Sequence, residues 1–334
     1  MGYPWISLYT FLSLWDIMRI NNKMVKDLLE VLEDLKKEMF QDEKKYPFAE
    51  WERNREKVKE RIRKLPEYIE KASNLIEIEE RTVGRPKQLD LKKRTTLFLF
   101  ARLMNKSNRD VEELLLLFEP LFEFEVSYKY IERLYSDEVV KLALHNLFVL
   151  LLEDEGTSGS FSGDGTGYSL SIAKHYRSDP EKKGKKYRYV FRAIDIETGM
   201  YVAFGYSNRS EKDAFNKAMK MLKGVEINSI ALDRYYSSRS VLKLFDKKTA
   251  VYVIPKKNLT NFGPEWTKII ERIVEDPVVF LKNYFKRNLS EAGFSADKRR
   301  FGWRIRQKRE DRREAAMFSI ALLHNIFTVR VRPG

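Results

Sequence analysis

The 334-residue chain has no cysteine and only three histidines, His145, His175 and His324. Without cysteine there is no disulfide, no thiolate zinc site and no cysteine nucleophile. Three histidines far apart in sequence do not suggest an imidazole zinc site, so each reads as a structural or surface residue. A catalytic metal in such a chain must be held by carboxylates, which favours Mg²⁺ or Mn²⁺. No Gly-x4-Gly-Lys-Ser/Thr loop occurs, so no nucleotide cofactor is expected. No run is long and apolar enough to span a bilayer. The apolar, aromatic residues 1–15 lack a basic n-region and a small-residue cleavage site, and read as a docked amphipathic helix. The expectation is a cytoplasmic protein with no membrane partner.

Positive charge is abundant. Lys and Arg number 63 against 49 Asp and Glu, a net charge of +14. A basic chain suits a polyanion, because each cation placed near a phosphate releases condensed counterions. Membrane surfaces and acidic proteins are polyanionic too, so the distribution says more than the total. Residues 281–334 carry 14 Lys/Arg against 5 Asp/Glu, most of the excess. A second basic run covers residues 174–192. With 43% hydrophobic and 13% aromatic residues the chain can bury a sizeable core, and its length allows two or three domains.

Helical periodicity dominates the first half. Val25, Leu28, Leu29, Leu32 and Leu35 form a stripe at i, i+3, i+4, i+7, and Val58, Ile62, Leu65 and Ile69 continue the style. Gly84-Arg85-Pro86 punctuates a basic linker and resembles the core of an AT-hook, in which Arg85 would reach into a minor groove. Two apolar-faced helical stretches follow, over 91–118 and 127–152, broken at residues 105–108. Residues 127–133 look like the start of a recognition helix in a helix-turn-helix, or like one member of an ordinary packed pair. Residues 155–160 read as a flexible hinge. Beyond it, 187–206 alternates around the turn Glu197-Thr198-Gly199, a hairpin signature, and Ser210 caps the next helix. Short strands end at Asp233 and before Pro255. A helical region runs from about Pro277 to the C-terminus, with breaks near Gly293 and Gly302. Asp195 and Glu197, at the hairpin turn, read as solvated. The order implies an α/β fold with a mixed sheet.

Three acids stand out by context. Asp164 is flanked by Gly163 and Gly165, which admit close approach of a backbone or ligand. Asp233 ends a buried-type strand, where α/β sheets place ligand groups. Glu291 follows Tyr284 and Arg287 and precedes Lys298. At about 100° per residue these four fall within roughly 60° on one helix face. Taken alone, Glu291 could be a simple i,i+4 partner of Arg287.

The spacing Tyr284-x2-Arg287-x3-Glu291-x6-Lys298 resembles the Tyr-Arg-Glu-Lys signature of insertion-sequence DDE transposases at all four positions. Asp164 and Asp233 fall where that family's first two catalytic acids lie. The resemblance covers roughly residues 157–334. It implies an RNase H-like mixed sheet with flanking helices after an all-α N-terminal region. It also implies domains of 1–83 (helical), 84–155 (helical, with the helix-turn-helix pattern) and 156–334 (catalytic). Asp164, Asp233 and Glu291 would hold two Mg²⁺ or Mn²⁺ ions, the arrangement that activates a water and stabilises a leaving oxygen in phosphodiester cleavage. Tyr284, Arg287, Lys298, Arg299, Arg300 and Arg85 would contact DNA. The partners would be transposon ends, target DNA and a second copy or larger assembly. Only 57 residues separate Asp233 from Glu291, too few for the β-rich insertion of some relatives. Tyr235 and Tyr236 adjoin Asp233, with no Trp, which leaves hairpin-end formation open. Two other readings stand beside this one: an RNase H-like nuclease that does not join strands, and a non-catalytic DNA-binding descendant.

Overall fold

The computed structural model describes residues 22–39, 48–77, 89–117, 124–170, 187–257 and 263–330. The apolar start 1–15, the linker with Arg85, His175 and the basic residues 174–186 lie outside the described residues. Up to residue 155 the described elements are helices: α1 (Asn22–Met39), α2 (Phe48–Asn74), α3 (Leu91–Met104), α4 (Asn108–Leu117), α5 (Tyr128–Leu134) and α6 (Glu138–Glu155). Then come β1 (Ser160–Ser169), β2 (Tyr187–Asp195), β3 (Tyr201–Ser207), α7 (Glu211–Met221), β4 (Ser229–Leu232), α8 (Arg239–Leu242) and β5 (Ala250–Tyr252). The chain continues through α9 (Pro264–Glu275), α10 (Pro277–Phe285), α11 (Asn288–Phe301) and α12 (Glu310–Phe327). The strands form one mixed sheet in the order β3-β2-β1-β4-β5. No helix among the described residues is long and apolar enough to cross a membrane.

Contacts divide the chain into two units, and β1 and α11 pass from one to the other, at Asp164/Gly165 and Ser290/Glu291. In the first unit β1 pairs parallel with β4, Ser160 opposite Ser229 through Gly163 opposite Leu232, and β4 pairs parallel with β5. Helix α10 packs on these strands and on α1. The α1 stripe Val25, Leu28, Leu29, Leu32 and Leu35 is buried as its spacing implies. Helix α9, which the sequence reading passed over, buries Trp266, Ile269, Ile270 and Ile273 on one face.

In the second unit β2 and β3 form an antiparallel hairpin, turned at Gly199 with φ 72°. Ser210 caps α7 by accepting from Asp213 N at 3.1 Å. Helix α7 then lies so close to β3 that a Cβ on Gly205 would sit 1.8 Å from the Ala214 carbonyl oxygen. Helix α12 is buried along its length against β3, α6, α3 and α2. Ser107 and Asp110 cap each other's backbone N–H groups at the start of α4, each at 3.2 Å. Helix α5 has seven residues and buries Ile131 and Leu134.

Three local expectations are corrected. Ile62 is exposed, and α2 instead turns Arg61, Tyr68, Ile69 and Ala72 inward. Arg61 can be buried because it donates to the carbonyls of Asn325 (2.6 Å) and Thr328 (2.9 Å) and pairs with Glu155 at 2.5 Å. Asp195 is fully buried rather than solvated. It accepts from Ser158 N and Oγ at 2.7 and 2.8 Å, so the expected hinge 155–160 is tied to the hairpin. The helical stretch after Pro277 breaks at Lys286 and Arg287, while Gly293 lies within α11.

Candidate active site

β1 and β4 run parallel and in register as far as Gly163 and Leu232; Asp164, still in β1, and Asp233, the first residue beyond β4, each directly follow this last pair. Neighbouring strands lie about 4.8 Å apart. Both acids are half-buried. Asp233 leaves the sheet here: its Oδ1 accepts from Tyr235 N at 2.8 Å and caps a short turn, Arg234–Tyr236. Its Oδ2 lies 3.5 Å from Arg287 Nη1. The Arg287 guanidinium in turn lies 5.3 Å from the centre of the Tyr284 ring. Burial pushes the Tyr284 phenol above its ordinary value, with Arg287 pulling against it. Asp233, Arg234, Tyr284 and Arg287 share a pocket with Glu33 and Lys36 of α1. Of the neighbouring aromatics, Tyr236 is buried and Tyr235 is exposed, with the Lys256 ammonium 5.7 Å from its ring centre.

Ser162 and Ser290 touch through their hydroxyls at 2.6 Å, buried within the first unit. Ser162 precedes Asp164 by two residues and so faces the same side of β1. Ser290 immediately precedes Glu291, which is exposed. Within the second unit, Thr166 of the same strand face accepts from Lys298 Nζ at 2.6 Å. That ammonium also lies 5.2 Å from the Tyr168 ring centre and 5.7 Å from that of Trp303.

The four signature residues therefore do not share one helix. Tyr284 belongs to the last turn of α10, Arg287 to the break, and Glu291 and Lys298 to α11. Arg287 is turned to Asp233. Arg299 and Arg300 are exposed at the end of α11, the Arg300 guanidinium 4.9 Å from the Phe327 ring centre. The space beside Gly165 is taken by the Glu211 side chain, 2.4 Å from where a Cβ would stand.

One cluster escaped the sequence reading. Asp297, buried one residue before Lys298, accepts from Arg192 Nη1 at 2.6 Å and from the Tyr201 hydroxyl at 3.0 Å. His324 Nδ1 stands 2.8 Å from its other oxygen, and His324 Nε2 faces the Gly199 carbonyl at 3.1 Å. Burial works against the Arg192 charge, but Tyr168, Tyr201 and Asp297 outweigh it and hold the guanidinium above its ordinary value. A Cβ on Gly293 would come within 2.7 Å of the Tyr201 hydroxyl, so the glycine lets α11 reach this cluster. The signal was an arginine in the middle of the strand run Val190-Phe191-Arg192-Ala193-Ile194, which demands a buried anion.

Two half-buried carboxylates that directly follow paired residues of adjacent strands are hard oxygen donors of the kind that Mg²⁺ and Mn²⁺ accept. Among the described residues no group of three or more carboxylates or imidazoles is drawn together closely enough to hold a metal ion.

No family model matches the chain. It is 68% identical over 316 residues, 94% of its length and 98% of the relative's, to a probable transposase for insertion sequence element ISA1214 from Archaeoglobus fulgidus.

Proposed function

This chain belongs to the transposases of insertion sequence elements, and we propose that it cuts and joins DNA by DDE chemistry, with Asp164, Asp233 and Glu291 as its metal-holding acids. The observation that carries the reading is that Asp164 and Asp233 each directly follow the last paired residues, Gly163 and Leu232, of two adjacent parallel strands. Support comes from the Arg287 of the signature, which is turned to Asp233. The contacts Ser162–Ser290 and Thr166–Lys298, each within its own unit, tie α11 to the strand face that carries Asp164. A mixed sheet in the order β3-β2-β1-β4-β5, with a hairpin on one side and parallel strands on the other, is consistent with an RNase H-like core.

Divalent cations held by the three acids would activate a water, and then the 3′-hydroxyl that its attack on the DNA strand frees, and would stabilise the leaving oxygen. The chain's own residues do the rest. Arg287 compensates Asp233, and its guanidinium suits a DNA phosphate. Tyr284 holds that guanidinium against its ring. Lys298 keeps a fixed ammonium beside β1 through Thr166, suited to a scissile-strand phosphate. We further read the working form as a dimer or larger assembly across two transposon ends.

The test is cleavage of a labelled element end in Mg²⁺. Asp164→Asn, Asp233→Asn and Glu291→Gln should each lower cleavage by at least a hundredfold while duplex binding in EDTA stays within a few-fold, since affinity comes mainly from the basic surface. Near-normal cleavage by any of the three would remove that residue from the site.

A further inference from the structure

The second unit contains a cleft that shares no residue with the acids or the signature. One side comes from the end of α3 and the turn after it, with Arg102 and Lys106. The other is the segment joining α11 to α12, with Arg304, Arg306 and Lys308, and Arg312 and Arg313 of α12 complete it. Among the described residues seven cations line it against one carboxylate, Glu132, which is already paired with Arg312. Asp110 lies nearby: its carboxyl is held below its ordinary value mainly by Ser107, with smaller contributions from Lys106 and Arg306. These two acids, among the described residues, do not balance seven cations.

The cations are presented on a braced backbone. Ile305 N donates to Ser169 O at 3.1 Å, and the Ile305 side chain is buried. Its neighbours alternate outward, so Arg304, Arg306 and Lys308 are exposed. Arg313 donates to the carbonyls of Gln307 and Lys308 and braces the segment. Arg102 is anchored by Ser319 at 2.9 Å. The buried Arg312 Nε has no hydrogen-bond partner among the described residues, in a cationic setting. Holding like charges together costs stability unless a polyanion takes them up, and a row of Arg and Lys on a fixed segment suits a repeating anion.

We propose that this cleft holds the sugar–phosphate backbone of duplex DNA. The proposal rests on the chain being a DNA transposase, but not on which acids are catalytic. The contacts are to phosphates, so they position DNA without reading its sequence.

The test uses the full chain carrying Lys106→Gln, Arg306→Gln and Lys308→Gln together. Binding is measured in EDTA across a salt series, on a duplex bearing an element end and on an unrelated duplex of equal length. Each lost phosphate contact should reduce the slope of log affinity against log salt by about 0.9, so the triple variant should lose up to about 3 on both duplexes. The charge-conserving triple Lys106→Arg, Arg306→Lys, Lys308→Arg should keep the slope, and thermal unfolding of both should match the unaltered chain. An unchanged slope in the Gln variant, or equal loss in the charge-conserving one, would overturn the proposal. So would a loss confined to the element end, which would mean base reading. The acid variants described above should keep this salt slope, so the two readings fail separately.

Discussion

Asp195 stands where β2 turns into β3 and gathers the turn around itself. Besides both groups of Ser158, it accepts from the backbone of Glu197 and Thr198 and from the Thr198 hydroxyl. An acid in a Glu-Thr-Gly turn ordinarily faces water, and only tertiary structure reveals that the chain entering β1 supplies two of its donors. Asp195→Ala should destabilise the protein by about 3 kcal/mol, since buried donors to a charged acceptor would be left open; equilibrium denaturation would check this. Tyr68 offers a residue-scale test in pH. Burial, reinforced by its hydrogen bond to Asp154 at 2.6 Å, pushes its phenol up to about 12, against an ordinary value of 10.0. Its folded value is raised, so its contribution is complete below pH 10 and is lost as pH rises from 10 to 12. Alkaline unfolding should therefore steepen in that window, and Tyr68→Phe should remove that part while costing roughly 1.5–3 kcal/mol at neutral pH.

At the scale of elements, the caps, the hairpin and the strand ending at Asp233 were legible because each depends on residues a few positions apart. The break between α10 and α11 was not. No proline or glycine marks Lys286 or Arg287, and the turn there accompanies the tertiary pair of Arg287 with Asp233. Gly293 was misread for the opposite reason. It serves close packing against Tyr201 rather than a bend. Gly205 serves the same purpose for α7. Gly205→Ala would drive a Cβ into the helix backbone, which cannot yield as a side-chain end can, and should cost 3 kcal/mol or more (overpacking costs about 1–3 in softer sites). Thermal denaturation of that variant is the check. That Asp164 and Asp233 follow paired residues of adjacent strands was legible only as two acids near strand ends, since register is a property of the sheet.

The basic C-terminal sixth was evident from the sequence, but its division between the end of α11 and the cleft segment 304–308 needed the fold. The chain passes between the two units at Asp164/Gly165 in β1 and at Ser290/Glu291 in α11. The central claim is that Asp164, Asp233 and Glu291 gather around the same divalent ions. Fe²⁺ substituted for Mg²⁺, with ascorbate and peroxide, cleaves backbone near the bound ion, and mass spectrometry of the fragments maps the cuts. Cuts clustered around residues 164, 233 and 291 together, suppressed by excess Mg²⁺ and lost at all three places in Asp233→Asn, are the result expected. Mg²⁺-suppressible cuts elsewhere, or cuts at 164 and 233 that never include 291, would contradict it.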